Sequence, residues 1–464
     1  MTLIKSISGF RGTIGGKIGN GLTPNDIVGF ASAFASFIYR DSKKDRIKIV
    51  VGRDARLSGK MVESIVNNTL VAMGVEVVNL GFSTTPTVEM AVKNLDADGG
   101  IILTASHNPK QWNALKLLNG KGEFISAAEG DALLKAIDES DVVYKDIDHL
   151  GSITQDETQI KKHIEEILKL DLVNVDAIKK ANFKVAFDAV NSTGGITIPV
   201  LLQALGVKKI VPLFDEPTGV FPHNPEPLPE NLTAISEEVV KQKADVGFVV
   251  DPDVDRLAII SENGDMFGEE YTLVAVADYV LSKKKGNTVS NLSSTRALRD
   301  VSKKHGVKYQ ASAVGEVNVV DKMKATKAII GGEGNGGVIL PELHYGRDSL
   351  VGIALFLSLM AERKDNVSNI RSSYPDYFIS KNRINLEPDM DLDAILQGIA
   401  EKYKKEDVST IDGVKIDFEE GWVHLRKSNT EAILRVYSES NSMTSAENLS
   451  RKIISDVGDI LKGR

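Results

Sequence analysis

The stretch RIKIVVGRDARLSGKMVESIVNNTLVAMGVEVVNLG, Arg46 to Gly81, reads as strand, polar loop, helix, glycine and strand. Met61, Val62, Ile65, Val66, Leu70 and Met73 recur with the spacing of one helix face. Gly74 follows as a helix stop, because glycine enters the left-handed region without steric cost. A crossover of this length joins parallel strands. The pattern returns in FKVAFDAVNSTGGITIPVLLQALGVKKIVPL from Phe183, with Gly206 as the stop. It returns again in NTVSNLSSTRALRDVSKKHGVKYQAS from Asn287, with Gly306 as the stop. Pro199 in the second copy is expected near the start of its helix, where its missing N–H is tolerated.

Three copies predict three similar mixed α/β domains. One large sheet is the alternative, and a chain of 464 residues disfavours it, since single cores stop growing at about 250–300 residues. Polar segments near 139–158 and 362–378 read as connections. The last part holds short strands, WVHLRKS and AILRVYSES, and a terminal amphipathic helix, which reads as a C-terminal α+β domain. The expected boundaries are 1–150, 151–257, 258–370 and 371–464.

Composition excludes several classes. The chain is 42% hydrophobic and 26% charged, with a net charge of -8, an ordinary globular profile. No segment reaches the roughly 18 apolar residues of a membrane span, and MTLIKSISGFRG does not read as a signal peptide. Without cysteine there is no thiolate chemistry, disulfide or Cys-ligated zinc, which fits a cytoplasmic setting. The basic run in LSKKKG is isolated and reads as a solvated helix end, not a nucleic-acid footprint.

In FVVDPDVDRLAII, Phe248 to Ile260, an apolar strand runs into Asp251, Asp253 and Asp255, then Arg256. Carboxylates at alternate positions repel one another unless a cation sits among them, and a hard divalent ion with oxygen ligands meets that need. A turn of solvated aspartates is the plainer reading. Arg256 suits a phosphate oxygen. In GGIILTASHNPKQWNALKLL, Gly99 to Leu118, the apolar run stops at Thr104, and Ser106 and His107 follow. Adjacent side chains on an extended chain point to opposite sides, so these two are expected to make a poor nucleophile–base pair. A serine beside a divalent ion has another use, carrying a phosphoryl group. A polar loop with a capping serine is its alternative. VGRDARLSG, with Arg53, Asp54, Arg56, Ser58 and Gly59, points towards phosphate and sugar, as does glycine-rich GGEGNGGVILPELHYGRDSLVG, with Glu333 and Asn335. RKSNTEAILRVYSES gathers Arg426, Ser428, Asn429 and Thr430, either donors for a phosphate or a structural turn.

With TASHNP, DPDVDR, GGEGNGG and RKSNTE in that order, nearly the whole chain resembles the alpha-D-phosphohexomutases, the phosphoglucomutases, phosphomannomutases and phosphoglucosamine mutases. The resemblance implies four domains around one central cleft, each lending one loop. It implies that phosphorylated Ser106 passes its phosphoryl group to a hexose 1- or 6-phosphate. The hexose 1,6-bisphosphate so formed turns over and returns its other phosphate. Asp251, Asp253, Asp255 and the Ser106 phosphate would hold Mg2+, and Arg256 would face the transferring group. Arg11 in SGFRG and Lys116 match positions near the reacting hydroxyl, with Lys116 the first candidate for general acid/base and His107 the second. Glu333 and Asn335 would meet the sugar. Arg426, Ser428, Asn429, Thr430 and Arg435 would hold the substrate, above all its non-reacting phosphate. The sugar loop lacks a histidine found in many relatives, and His344 in LHYGRD is the candidate replacement. FPHNPEPLPENL, Phe221 to Leu232, resembles a branch of phosphoglucosamine mutases or of enzymes with broad glucose and mannose specificity. Phosphoglucosamine mutase is therefore the first reading and phosphoglucomutase/phosphomannomutase the second. A metal-dependent sugar phosphatase and a silent sugar-phosphate-binding protein stand further off. The expected partners are hexose phosphates, with no nucleic acid or membrane, and the expected state is monomer or homodimer.

Overall fold

The computed structural model describes residues 2–6, 9–138, 142–387, 390–428 and 433–462. The chain divides into two compact units, Met1–Lys283 with Asn335–Arg371, and Lys284–Gly334 with Ser372–Arg464.

All three repeats form as read. Lys48–Arg53, helix Gly59–Ala72 and Glu76–Phe82 make the first, and its strands pair in parallel. Lys184–Asp188, Gly194–Ala204 and Lys209–Leu213 make the second. Asn287–Asn291, Ala297–Lys304 and Tyr309–Ser312 make the third. The stop residues Gly74, Gly206 and Gly306 have φ of 82°, 84° and 69°, the left-handed region each helix end requires. In the first helix Val62, Val66 and Leu70 are fully buried, while Met61 is turned to solvent. Pro199 departs from expectation, since it lies inside its helix. Burial of Ile198, Leu201 and Leu202 around it holds that turn together.

The larger unit holds two sheets. The first runs Leu3–Ser6, Gly9–Thr13, Trp112–Asn119, Gly99–Leu103, Lys48–Arg53, Glu76–Phe82 and Ser152–Gln155 across its width. The last strand corrects the reading of 139–158 as a mere connection. Its four residues are exposed and give no apolar alternation, so only backbone pairing to Glu76–Phe82 makes it a strand. The second sheet runs Leu257–Ser261, Val246–Val250, Lys184–Asp188 and Lys209–Leu213. Gly99–Leu103 and Val246–Val250 are buried at every residue, because helices cover both faces. The loops that leave their carboxyl ends carry Ser106 and the three aspartates, where open α/β sheets bind ligands.

In the smaller unit Tyr309–Ser312, Asn287–Asn291 and Ala328–Glu333 run parallel. An antiparallel sheet follows in the order Phe378–Asn385, Ile433–Ser440, Gly421–Lys427, Val414–Asp417 and Asp407–Ser409. Ile453 and Val457 of the terminal helix Met443–Lys462 pack on Val423, Leu425, Leu434 and Val436, as an α+β domain demands. Among the described residues no helix is long and apolar enough to cross a membrane.

His424 is buried in this unit, between Ser293 Oγ at 2.8 Å and the Asp412 carbonyl at 2.6 Å. Burial holds its imidazole down, at about 4 against the usual 6.5. The unfolded chain therefore binds the proton more readily, and stability falls as pH drops from about 6.5 towards about 4. Denaturant unfolding monitored by circular dichroism checks this. His424→Gln should lose less stability than the wild type across that window, and equal losses would remove His424 as the cause.

Candidate active site

The loop after Gly99–Leu103 is shaped from beneath by one guanidinium. Arg56 is fully buried and donates from Nε to Asp54 Oδ2 at 3.0 Å. Its Nη1 donates to the carbonyls of Pro109 and Trp112 at 2.9 and 3.0 Å, and its Nη2 to those of Ser106 and Asn108 at 2.5 and 2.6 Å. Thr104 Oγ1 donates to Asp54 Oδ2 at 2.7 Å and accepts the Ser106 N–H at 2.9 Å. VGRDARLSG, whose sequence points towards phosphate and sugar, spends its charged side chains inside the protein. Asp54 and Arg56 are consumed in holding TASHNP, and Arg53 pairs with Glu63 at 3.1 Å.

Held this way, Ser106 takes φ of 49°, in the left-handed region. The expectation of opposed side chains rested on extended backbone and fails here. Ser106 Oγ lies 3.3 Å from His107 Nδ1 and donates to Asp251 Oδ2 at 2.6 Å. Burial, then Arg256, holds the His107 imidazole down at about 2, so it is neutral.

Asp251, Asp253 and Asp255 are fully buried, and their ligand oxygens lie within 4.8 Å of one another. Burial, with the neighbouring Asp253 and Asp255, pushes the Asp251 carboxyl well above the usual range. Burial also acts to raise Asp253, but Lys116 and Thr85 outweigh it and hold Asp253 below its usual value. Lys116 Nζ is 2.7 Å from Asp253 Oδ2 and 3.3 Å from Asp255 Oδ2. Burial opposes that charge, yet the two carboxylates keep the Lys116 ammonium above its usual pKa. Thr85 Oγ1 donates to Asp253 Oδ2 at 2.5 Å and Arg347 Nη2 to Asp255 Oδ2 at 2.8 Å. Asp253 Oδ1 and Asp255 Oδ1 remain buried without a hydrogen-bond partner. Two orphaned carboxylate oxygens beside Asp251 fit a hard divalent cation, which would relieve their mutual repulsion.

Arg11 reaches this place on Gly9–Thr13, which pairs with the strand carrying Lys116. At Gly9, φ is 133° and a Cβ would lie 2.2 Å from the Leu115 carbonyl oxygen, so the close pairing needs glycine. Arg11 Nη1 donates to Asn108 Oδ1 at 3.3 Å. Burial, then the nearby Arg256, lowers its pKa. Arg256 also pairs with Glu226 at 3.2 Å, and His107 Nε2 is 3.8 Å from the same oxygen. Sequence reading missed Thr85, Arg347 and Glu226. Their partners are 168, 92 and 30 residues away in the chain, and no local motif marks them. His344 does not serve the sugar loop, being buried between Glu89 and Asp348. Asn335 Oδ1 accepts the Gly337 N–H at 3.2 Å in the same unit.

In the smaller unit Glu333 is buried, and its Oε1 accepts from Asn291 Nδ2 at 2.9 Å and Gly315 N–H at 3.1 Å. Ser428 is buried, and Arg426 lies 3.8 Å from Asp412. Asn429 and Thr430 lie outside the described residues. Arg435 stands in register with Arg426 on one side and Arg383 on the other, a row of three arginines across three strands. Like charges directly opposite one another cost a sheet stability. Arg383 was not found in the sequence, because the register that aligns it is not local.

The profiles of phosphoglucomutase/phosphomannomutase alpha/beta/alpha domains I, II and III match residues 4–143, 161–264 and 268–377, and that of the C-terminal domain matches 384–455. A phosphoglucomutase/phosphomannomutase of Thermococcus kodakarensis is 34% identical over 95% of this chain and 96% of its own. A phosphoglucosamine/phosphogalactosamine mutase of Sulfurisphaera tokodaii is 30% identical over 97% and 98%. The crystal structure of a phosphoglucomutase/phosphomannomutase family protein from Burkholderia thailandensis superposes with a TM-score of 0.83, at 27% identity, over 100% of this chain and 98% of that one.

Replacing Arg56 by Met leaves Asp54 buried without its partner and four loop carbonyls without their donor. The expected loss is about 3–5 kcal/mol of unfolding free energy, read by denaturant titration. Arg56→Lys should recover part of the stability but not the reactivity of Ser106. A wild-type midpoint for Arg56→Met would show that the loop holds itself.

Proposed function

The chain belongs to the phosphoglucomutase/phosphomannomutase family, the alpha-D-phosphohexomutases, and from that membership we propose that it interconverts hexose 6-phosphates and hexose 1-phosphates through phosphorylated Ser106. The observation that carries this reading is the Ser106 hydroxyl held at 2.6 Å from a buried triad of aspartates, beside Lys116. Asp251, Asp253 and Asp255 would hold Mg2+ together with a phosphate oxygen on Ser106. When bound, the ion neutralises charge on the transferring group.

In the forward step the bond from phosphorus to Ser106 Oγ breaks and a bond from phosphorus to the sugar hydroxyl oxygen forms. The hydroxyl loses its proton and Ser106 Oγ gains one. Lys116, held as an ammonium, gives that proton to Oγ and takes up the proton of the sugar. Neutral His107 orients Ser106 Oγ between transfers. Arg11 and Arg256 receive the phosphoryl oxygens, since guanidiniums hold phosphate through charge-assisted hydrogen bonds. Glu333 and Asn335 orient the sugar hydroxyls. Arg426, Ser428, Asn429, Thr430 and Arg435 hold the phosphate that does not react. The hexose 1,6-bisphosphate turns over and its other phosphate returns to Ser106.

Glucosamine phosphates are the first substrate pair, on the form of Phe221 to Leu232 and the name of the Sulfurisphaera relative. Glucose and mannose phosphates are the second, favoured by the name of the Thermococcus relative. Comparison of kcat/KM for glucosamine 1-phosphate and glucose 1-phosphate, with Mg2+ and the matching bisphosphate, decides between them. A preference for the neutral sugar overturns the first. The phosphoserine is tested separately. Intact mass after incubation with a hexose bisphosphate should show one phosphoryl adduct, absent in Ser106→Ala, and no adduct on the wild type would defeat the scheme. Asp253→Ala should fold and lose turnover by orders of magnitude, whereas unchanged turnover would mean the aspartates hold no catalytic ion.

A further inference from the structure

A second group of ligating side chains lies in the larger unit, apart from Ser106 and the three aspartates. His163 stands on the helix Gln159–Leu168, and His344 and Asp348 precede the helix Ser349–Arg363. Their ligand atoms all lie within 4.8 Å of one another. His163 Nε2 is 2.9 Å from Asp348 Oδ2, and His344 Nε2 is 3.3 Å from the same oxygen. The two rings are nearly perpendicular, at 87°, with centroids 6.0 Å apart. Asp348 Oδ1 is taken by the N–H groups of Leu350 and Val351, which leaves Oδ2 to the histidines.

These separations suit ligands of a common ion. With metal–ligand bonds of about 2.0–2.2 Å, ligand atoms about 2.9–3.4 Å apart subtend roughly 90–110° at the metal. A charge-assisted hydrogen bond from imidazolium to carboxylate is shorter, about 2.7–2.9 Å. His163 meets Asp348 within that range, at 2.9 Å, but His344 stands 3.3 Å from Asp348 and 3.2 Å from Glu89. Each outer ring nitrogen has an oxygen for a neighbour. His344 Nδ1 faces Glu89 Oε2, and His163 Nδ1 meets Thr87 Oγ1 at 3.0 Å. A carboxylate or a hydroxyl there can accept the ring N–H in the tautomer that leaves Nε2 a ligand. Asp348 and Glu89, both buried, together balance one divalent ion.

We propose that His163, His344 and Asp348 bind a divalent transition-metal ion, with Zn2+ as the best fit, at a structural centre distinct from the aspartate triad. Two imidazole nitrogens and one carboxylate select a borderline ion, whereas the all-oxygen triad selects a hard one. The ion would fasten elements that also grip the triad. Thr85, on the helix with Thr87 and Glu89, bonds Asp253, and Arg347, beside Asp348, bonds Asp255.

Cobalt titration of the metal-stripped full chain tests the proposal without reference to turnover. Nitrogen ligation at low coordination number gives strong visible absorption, and an all-oxygen site gives only a faint band. A strong band should saturate at one equivalent and be displaced by Zn2+. It should persist in Asp253→Asn and disappear in His163→Gln and His344→Gln. Glu89→Gln keeps all three ligands and should weaken Zn2+ binding by about 10–100-fold. If the histidine variants do not fold, X-ray absorption of the wild-type chain loaded with one equivalent of Zn2+ counts the nitrogen ligands directly, and two are expected. A faint cobalt spectrum, zinc without imidazole ligands, or a band that survives both histidine substitutions overturns the proposal.

Discussion

All five N–H groups of one buried guanidinium are spent on a single task. Arg56 gives one to Asp54 and four to the carbonyls of the Ser106 loop. Those carbonyls all turn towards this one buried side chain. The loop can therefore curl back on itself, and Ser106 can adopt the left-handed backbone that brings its hydroxyl to Asp251. Lysine, with its flexible point charge, could not present donors in this fixed fork. The carboxylate of Asp54 in turn keeps the buried cation neutralised, so the pair belongs to the scaffold although its sequence looks like a ligand loop.

Much of this was legible in the chain. The three crossovers announced themselves because each helix face is local and each stop is a glycine at positive φ. The aspartate triad was legible because its members sit at alternate positions in one loop. What escaped was long-range. Thr85 and Arg347 touch the triad from distant segments, and the edge strand Ser152–Gln155 exists only through pairing. His107 was misread beside Ser106 because one backbone angle, in a loop held by Arg56 from the loop after Lys48–Arg53, reversed the geometry that an extended chain would give. The residue types that carry the chemistry were visible, and the residues that aim them were not.

A common electrostatic design runs through both units. Like charges are gathered where folding alone gains nothing from gathering them: three aspartates behind Ser106, Arg11 beside Arg256, and an arginine row in the small unit. Each cluster is costly to bury or align without a partner of opposite sign. The cost is partly met inside the protein, by Lys116 and Arg347 for the aspartates and by Glu226 for Arg256. Asp253 Oδ1 and Asp255 Oδ1 are left without a partner, which fits a cation among the aspartates.

The arginine row carries a further consequence. Arg383, Arg435 and Arg426 sit on three adjacent strands of one antiparallel sheet, and the first of these strands is distant in sequence from the other two. Pairing at that level sets like charges opposite one another, a cost that the Asp412 carboxylate, 3.8 Å from Arg426, partly offsets. An anion bound there would therefore stabilise the sheet as well as occupy it.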